Sequence, residues 1–348
     1  MKKKWLVKTL TLGVVVLFIG AGTVSAINTN QVDESKPLSR SNTLYVGGSG
    51  PNNYTKIQDA IDDASDGDTV FVYDDSSPYY EKIRLNKSIN LIGEDKNSTI
   101  INAEGSGCAI KIFSDYGGNT INGFTLQTSP PYNGIEIMQT NILIENCIIT
   151  DSQWGMNFIS KFGYIIIKQC VIKNNTWGIV FGFIRDCKVL IEGNIISSNA
   201  DGIYILGGQN SEINISNNSF EKNSNSGLWL HYSRNDLNIS GNTFKQNKYG
   251  IYIESSGSNK IYKNNFMHNK RANADFAYDI TYKVPVTLWF ENYWSPRFIR
   301  LIPSNSKFPE IIRGWKFYRY LYFGLFIIPF FNFDWHPAKE PYDILIVE

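Results

Sequence analysis

Between residues 107 and 285 the chain alternates apolar and polar positions in short runs, too brief for a helix-period stripe. The runs return on a period. Glycine opens one of them each time, in Gly134-Ile-Glu-Ile, Gly155-Met-Asn-Phe, Gly178-Ile-Val-Phe, Gly202-Ile-Tyr-Ile, Gly227-Leu-Trp-Leu and Gly250-Ile-Tyr-Ile, with spacings of 21, 23, 24, 25 and 23 residues. A second column, Gly123, Cys147, Cys170, Asn194, Asn218, Asn242 and Asn265, is spaced 24, 23, 24, 24, 24 and 23 residues. Two columns sharing one period mark a solenoid. Each unit holds three period-2 runs parted by Asn, Gly and Ser turns, such as Ile213-Asn-Ile-Ser, Ser219-Phe-Glu-Lys and Gly227-Leu-Trp-Leu. The Leu-rich strand and helical segment of a leucine-rich repeat are both missing. Three strands per coil of about 23 residues predict an all-β, right-handed parallel β-helix.

In such a coil each residue stacks on its counterpart about 4.8 Å away, so an inward column must be compatible with itself. Ile135, Met156, Ile179, Ile203, Leu228 and Ile251 form one inward column; Ile137, Phe158, Phe181, Ile205, Leu230 and Ile253 form the next. Asn194, Asn218, Asn242 and Asn265 are expected to build an amide ladder that also satisfies turn backbone. Cys147 and Cys170 share that column one coil apart, where a disulfide or two buried thiols would fit. A solenoid must close its ends. An amphipathic helix over Tyr54 to Ala64, apolar at Ile57, Ala60, Ile61 and Ala64, is the expected N-terminal cap. The chain thus divides into a cap with first coils at 43–106, repeats at 107–285 and an aromatic C-terminal segment at 286–348.

Residues 1–26 read as a secretory signal. Lys2, Lys3, Lys4 and Lys8 precede an apolar stretch from Thr9 to Val24, and Val24-Ser25-Ala26 supplies small residues for cleavage. The alternative is an uncleaved N-terminal anchor. Residues 27–42 are a polar linker, and a secreted or cell-surface protein is expected. Composition agrees with the fold: 45 Ile suit buried strand faces and 37 Asn suit turns and ladders. The net charge of +1, from 33 Lys+Arg against 32 Asp+Glu, excludes a bulk nucleic-acid binder. Four cysteines in 348 residues do not make a disulfide scaffold.

Tyr54-Thr-Lys-Ile-Gln-Asp-Ala-Ile-Asp-Asp-Ala-Ser-Asp-Gly-Asp-Thr-Val-Phe-Val, then Tyr80-Glu-Lys-Ile, Lys87-Ser-Ile-Asn-Leu-Ile-Gly-Glu-Asp and Thr99-Ile-Ile-Asn, resembles the opening of NosD-like β-helix proteins. These belong to the pectin-lyase-like superfamily, and the resemblance runs from about Leu44 to Trp294, where Asn292-Tyr293-Trp294 is similar to a terminal tryptophan motif. It implies the fold. It also implies a periplasmic role in copper-site maturation, for which three His, four Met and four Cys are a poor ligand inventory. The superfamily includes polysaccharide lyases, hydrolases and epimerases, but neither paired aspartates beside Ser-His-Gly nor an Arg-x-Pro-x-x-Arg run occurs here. Asp62, Asp63, Asp66 and Asp68 flank a glycine, yet Ala64 falls where a calcium loop needs a ligand, so neither calcium nor any other cofactor is expected.

Candidate chemistry lies on an outward face. The middle residues of the glycine-led runs stack as Glu136, Asn157, Val180, Tyr204, Trp229 and Tyr252, and two positions on run Met138, Ile159, Gly182, Leu206, His231 and Glu254. Tyr204, Trp229 and Tyr252 are candidate ligand-binding residues, because aromatic faces hold sugar rings through apolar C–H contacts. They could instead pack beneath the C-terminal segment or shield the sheet. His231 and Glu254 fall on adjacent coils and are candidate catalytic acid/base partners. Glu145, Lys168 and Glu192 read as an ion ladder. From Arg297 to Arg319 there are six basic residues against one acidic, followed by an uncharged run to Phe333; residues 297–333 could cap the last coil or touch a membrane interface. Asp334-Trp335-His336-Pro337 has the look of a motif with no evident role. The sequence thus points to a monomeric, non-catalytic surface module for carbohydrate or a cell-envelope component, with a polysaccharide-processing enzyme as the alternative.

Overall fold

The computed structural model describes residues 41–113, 117–138, 141–159, 161–279, 287–295, 310–320 and 324–344. The expected signal segment and nearly all of the linker lie outside the described residues, as does the basic stretch 297–307. The protein is a right-handed parallel β-helix with three strand faces. The first face stacks strands from Ile83–Leu85 through Asp201–Leu206, Ser226–His231 and Tyr249–Glu254 to Ala272–Asp279. The second runs from Thr43–Val46 to Leu288–Phe290, and the third from Ile100–Asn102 to Tyr293–Ser295. Both inward columns of the first face are fully buried, in the register Met156↔Ile179↔Ile203↔Leu228↔Ile251. On the third face the inward rings of Phe220, Phe244, Phe266 and Trp294 stack at 4.6, 5.0 and 4.4 Å between centroids.

The glycine column has a steric origin. A Cβ on Gly134, Gly155, Gly178, Gly202, Gly227 or Gly250 would lie closer than 3.0 Å to the carbonyl oxygen stacked on it one coil further along. No side chain fits there, so the column repeats with the coil.

Turns are held by buried amides. Asn194 Nδ2 donates to Asn218 Oδ1 at 2.9 Å, Asn218 to Asn242, Asn242 to Asn264, and Asn264 to Asn292, each at 3.0 Å. The same oxygens accept the backbone N–H of the preceding rung. Cys147 and Cys170 are register neighbours of this column and stand as free thiols. Each donates to the carbonyl two residues back, at 3.2 and 3.3 Å, as Asn194 Nδ2 does to Glu192 at 3.1 Å. Burial pushes the Cys170 thiol pKa well up.

Two expected positions are corrected. Asn265 pairs in register with Thr243, so Asn264, not Asn265, is the rung. The corner between first and second faces shortens: Leu206 to Asn218 spans 12 positions, His231 to Asn242 spans 11 and Glu254 to Asn264 only 10. A constant period therefore overshoots by one. Asn265 instead clamps the tail, donating to Tyr342 O and accepting from Tyr342 N, both at 2.8 Å. Likewise Thr125 pairs with Ile148, which places Phe124 rather than Gly123 on Cys147. A second ladder, Asn175, Asn199, Asn223, Asn247 and Asn269, holds the opposite corner with contacts of 2.9 to 3.2 Å. Of the expected ion ladder, Lys168 pairs with Glu145 at 2.7 Å, while Glu192 accepts from Asn217 at 3.3 Å.

The N-terminal helix is Ile57–Asp63, shorter than expected because Tyr54 is held in a bridge to Val46. Ile57, Ala60 and Ile61 are fully buried in the core. Its ends are satisfied from the next coil: Glu81 accepts from the N–H groups of Ile57 and Gln58, and Lys87 donates to the carbonyls of Ile61, Asp62 and Ala64. The charges match the helix dipole at both ends. Lys87→Met is expected to loosen this cap by about 1–2 kcal/mol. Hydrogen exchange should then quicken at the Ala64 amide, which bonds to Ala60 O, and not on the third face; unchanged exchange would mean that Lys87 does not hold the helix end.

At the other end, strands Glu310–Tyr320 and Gly324–Asp334 form an antiparallel hairpin. The first extends the first face through Phe276↔Gly314, and the second meets the second face at Trp289↔Asp334. Asp334 is fully buried and ends the ladder: its Oδ2 accepts from Asn292 N, Asn292 Nδ2 and Trp294 Nε1 at 3.0, 3.1 and 3.1 Å. This gives the Asp334-Trp335-His336-Pro337 segment a role, with His336 N donating to Asp334 Oδ1.

Candidate functional site

The outward columns of the first face bring five sequence-selected residues together. Tyr204↔Trp229↔Tyr252 are register partners on successive coils, and so are Leu206↔His231↔Glu254. Ring centroids of Tyr204 and Trp229 lie 4.6 Å apart, and those of Trp229 and Tyr252 6.1 Å apart. All three rings are half-buried. The strip is longer than the sequence columns indicated. Trp177 stacks on Tyr204 at 6.5 Å and meets Trp154 at 5.9 Å in a tilted contact, and Tyr249 lies 5.4 Å from Tyr252. Trp154, Trp177 and Tyr249 each stand immediately before a column glycine, a third outward position that the same period could have exposed. Lys248 and Arg271 approach the Tyr249 ring at 5.5 and 5.6 Å.

His231 lies against this strip, its ring 5.5 Å from Trp229 and within 15° of parallel. Its Nδ1 is 2.7 Å from the Tyr204 hydroxyl, and its Nε2 is 3.7 Å from Glu254 Oε2. Burial, then the nearby Glu254 and Asp201 carboxylates, push the Tyr204 pKa up to about 12. The phenol therefore keeps its proton at neutral pH, and its hydroxyl can donate to Nδ1 or accept from it, according to the imidazole tautomer. Tyr252 is raised to about 12 by burial, with Glu254 and Asp275 adding to it. Both imidazole nitrogens thus face protein groups. The arrangement orients the aromatic strip more readily than it presents a free base.

Beneath the strip, Asp201 accepts from Ser226 N and Asn225 Nδ2 at 2.9 and 2.8 Å. Burial raises its pKa against those donors. Among the described residues no three His, Cys, Asp or Glu converge as metal ligands would. The acidic cluster is used structurally: Asp68 accepts from Asn42 N and Ser65 N, Asp66 from Ser88 N and Asp63 from Tyr54.

No curated protein sequence matches the chain. Among solved structures it is similar to the A-module of the Azotobacter vinelandii mannuronan C-5 epimerase AlgE6, at 16% identity and a TM-score of 0.44 over 64% of this chain and 74% of that one. The A-module of AlgE4 from the same organism gives 12% and 0.34 over 64% and 76%. ORF18 of Geobacillus virus E2 gives 11% and 0.37 over 78% and 59%. The family model described as "Right handed beta helix region" matches residues 108–266, the coils that carry the whole aromatic strip.

Proposed function

We propose that this protein is a secreted or cell-surface β-helix that binds an extended carbohydrate along its first face, without processing it. The observation that carries the reading is the continuous outward strip Trp177, Tyr204, Trp229 and Tyr252, one ring per coil and half exposed, on a rigid sheet. Fixed aromatic faces at coil spacing suit the apolar faces of successive sugar rings. His231, held between Tyr204 and Glu254, sets the orientation of the strip. In the double variant Trp229→Ala/Tyr252→Ala, retardation in polysaccharide-containing gels is expected to fall by at least about tenfold in apparent affinity. A folded double variant that migrates as the wild type would rule the strip out as the binding surface.

A polysaccharide-processing activity is the second reading, favoured by the Tyr204–His231–Glu254 chain of contacts. Product release from a polysaccharide by the wild type and not by His231→Gln would support it over simple binding. The NosD-like resemblance adds a copper-accessory role, for which the described residues offer no converging ligand set.

A further inference from the structure

Beside the strip, at the corner between the first and second faces, a slot is walled by Phe183 and Tyr232. Phe183, Gly207, Tyr232 and Ser255 stack in one column, the N–H of each bonded to the coil above, and all have left-handed φ, at 54°, 64°, 51° and 49°. A bulky L-residue in that region costs about 1–2 kcal/mol. Phe183 recovers little of this through burial, because it is 67% exposed. Between Phe183 and Tyr232 the column holds only Gly207, so their backbones stand two coils apart, about 10 Å by coil spacing. The Phe183 ring leans over Gly207, where a Cβ would come closer than 3.0 Å to it. The open slot has a volume of about 370 Å³, with Gly207 and Gly208 as floor and Gln209 and Arg234 at its second-face end.

Arg234 supplies the charge. It is exposed, and no described carboxylate lies within ion-pair distance of it. Its register neighbour in the slot is the uncharged Gln209, and Arg185 lies one coil further, outside the lining, so Arg234 is the one charge that the slot itself presents among the described residues. The slot is also joined to the strip: the Tyr232 ring lies 4.6 Å from His231, which stacks on Trp229. A chain lying on the strip would need only to turn one ring into the corner.

We propose that this slot is a subsite for one anionic sugar ring, held between Phe183 and Tyr232 with its carboxylate or sulfate on Arg234. The inference rests on the carbohydrate reading and deepens it to acidic glycans. A guanidinium fork takes either group in two hydrogen bonds, and partial burial between aromatic walls strengthens the contact.

The test is affinity electrophoresis in gels containing hydroxyethyl cellulose, carboxymethyl cellulose or cellulose sulfate. The wild type should favour a charged polymer over the neutral one by about tenfold or more. Arg234→Gln should erase that preference and keep the neutral binding, and the derivative losing more identifies carboxylate or sulfate. Arg185→Gln removes the same charge outside the slot and should leave the preference intact. Gly207→Asn, which a left-handed backbone tolerates, sets a Cβ against the Phe183 ring, displaces that wall and should repeat the loss. A preference that survives Arg234→Gln, or that Arg185→Gln lowers equally, overturns the subsite. Equal retardation of the wild type by all three polymers overturns it too but leaves the strip reading standing; no retardation by any overturns both.

Discussion

Asn218→Leu is expected to destabilise the central coils by about 4 kcal/mol while leaving the side-chain volume nearly unchanged. Leucine has much the same shape, so the effect isolates polar bonds from packing. The amide oxygen of Asn218 accepts from Asn194 N and Asn194 Nδ2, both at 2.9 Å. Its nitrogen serves Ile191 O, Ser216 O and Asn242 Oδ1 at 2.9 to 3.0 Å. Asn218 is fully buried, so water cannot replace these partners, and each orphaned group costs about 1–3 kcal/mol. Some relaxation brings the total to about 4 kcal/mol. Asn218→Cys should cost about half, because Cys147 and Cys170 already keep the bond to the carbonyl two residues back at equivalent positions. Solenoids can unfold in parts, so the readout should be local as well as global. Exchange of the Asn194 and Asn218 amides should quicken before that of Ile112 or Leu85. A leucine variant with wild-type exchange and wild-type urea midpoint would mean that the ladder contributes nothing net.

Asp334→Ala should cost about 3–4 kcal/mol and release the C-terminal hairpin. The substitution strips acceptors from Asn292 N, Asn292 Nδ2, Trp294 Nε1 and His336 N together. Trp294 then loses the bond that fixes its ring on Phe266. Asp334→Asn should be milder: one oxygen can still take the bonds from Asn292, but the amide NH2 then faces the His336 N–H, donor against donor. Limited proteolysis should cut the alanine variant within 310–344 at protease levels that leave the wild type whole. Intact protein at those levels would show that the hairpin is held by other contacts.

Much of the architecture can be read from residues, because a stacked coil makes each position answer to itself. Gly202 cannot differ from Gly178 without a Cβ striking a carbonyl, and Ile203 must sit on Ile179. A constant period misplaces Asn265 by one, because neighbouring asparagines leave the phase open when a corner sheds a residue. The Asn175 to Asn269 ladder shares the period of the first and is legible by the same spacing. Other features depend on more than spacing. Glu81 and Lys87 cap a helix more than twenty residues away, and the Tyr204–His231 bond depends on rotamers on two coils. The Phe183–Tyr232 slot exists only because Gly207 falls between them, which no single-column count shows.

The buried amide column also has a direction. Every rung accepts from behind and donates ahead, starting at the backbone N–H of Cys170 and finishing on the acceptor oxygen of Asp334. An interior coil can therefore be excised or duplicated as a whole, since the rungs on either side find the same partner again. Neither terminus has that freedom: the polarity of the chain of amides makes the beginning and the end of this solenoid non-interchangeable, and length can change only in the middle.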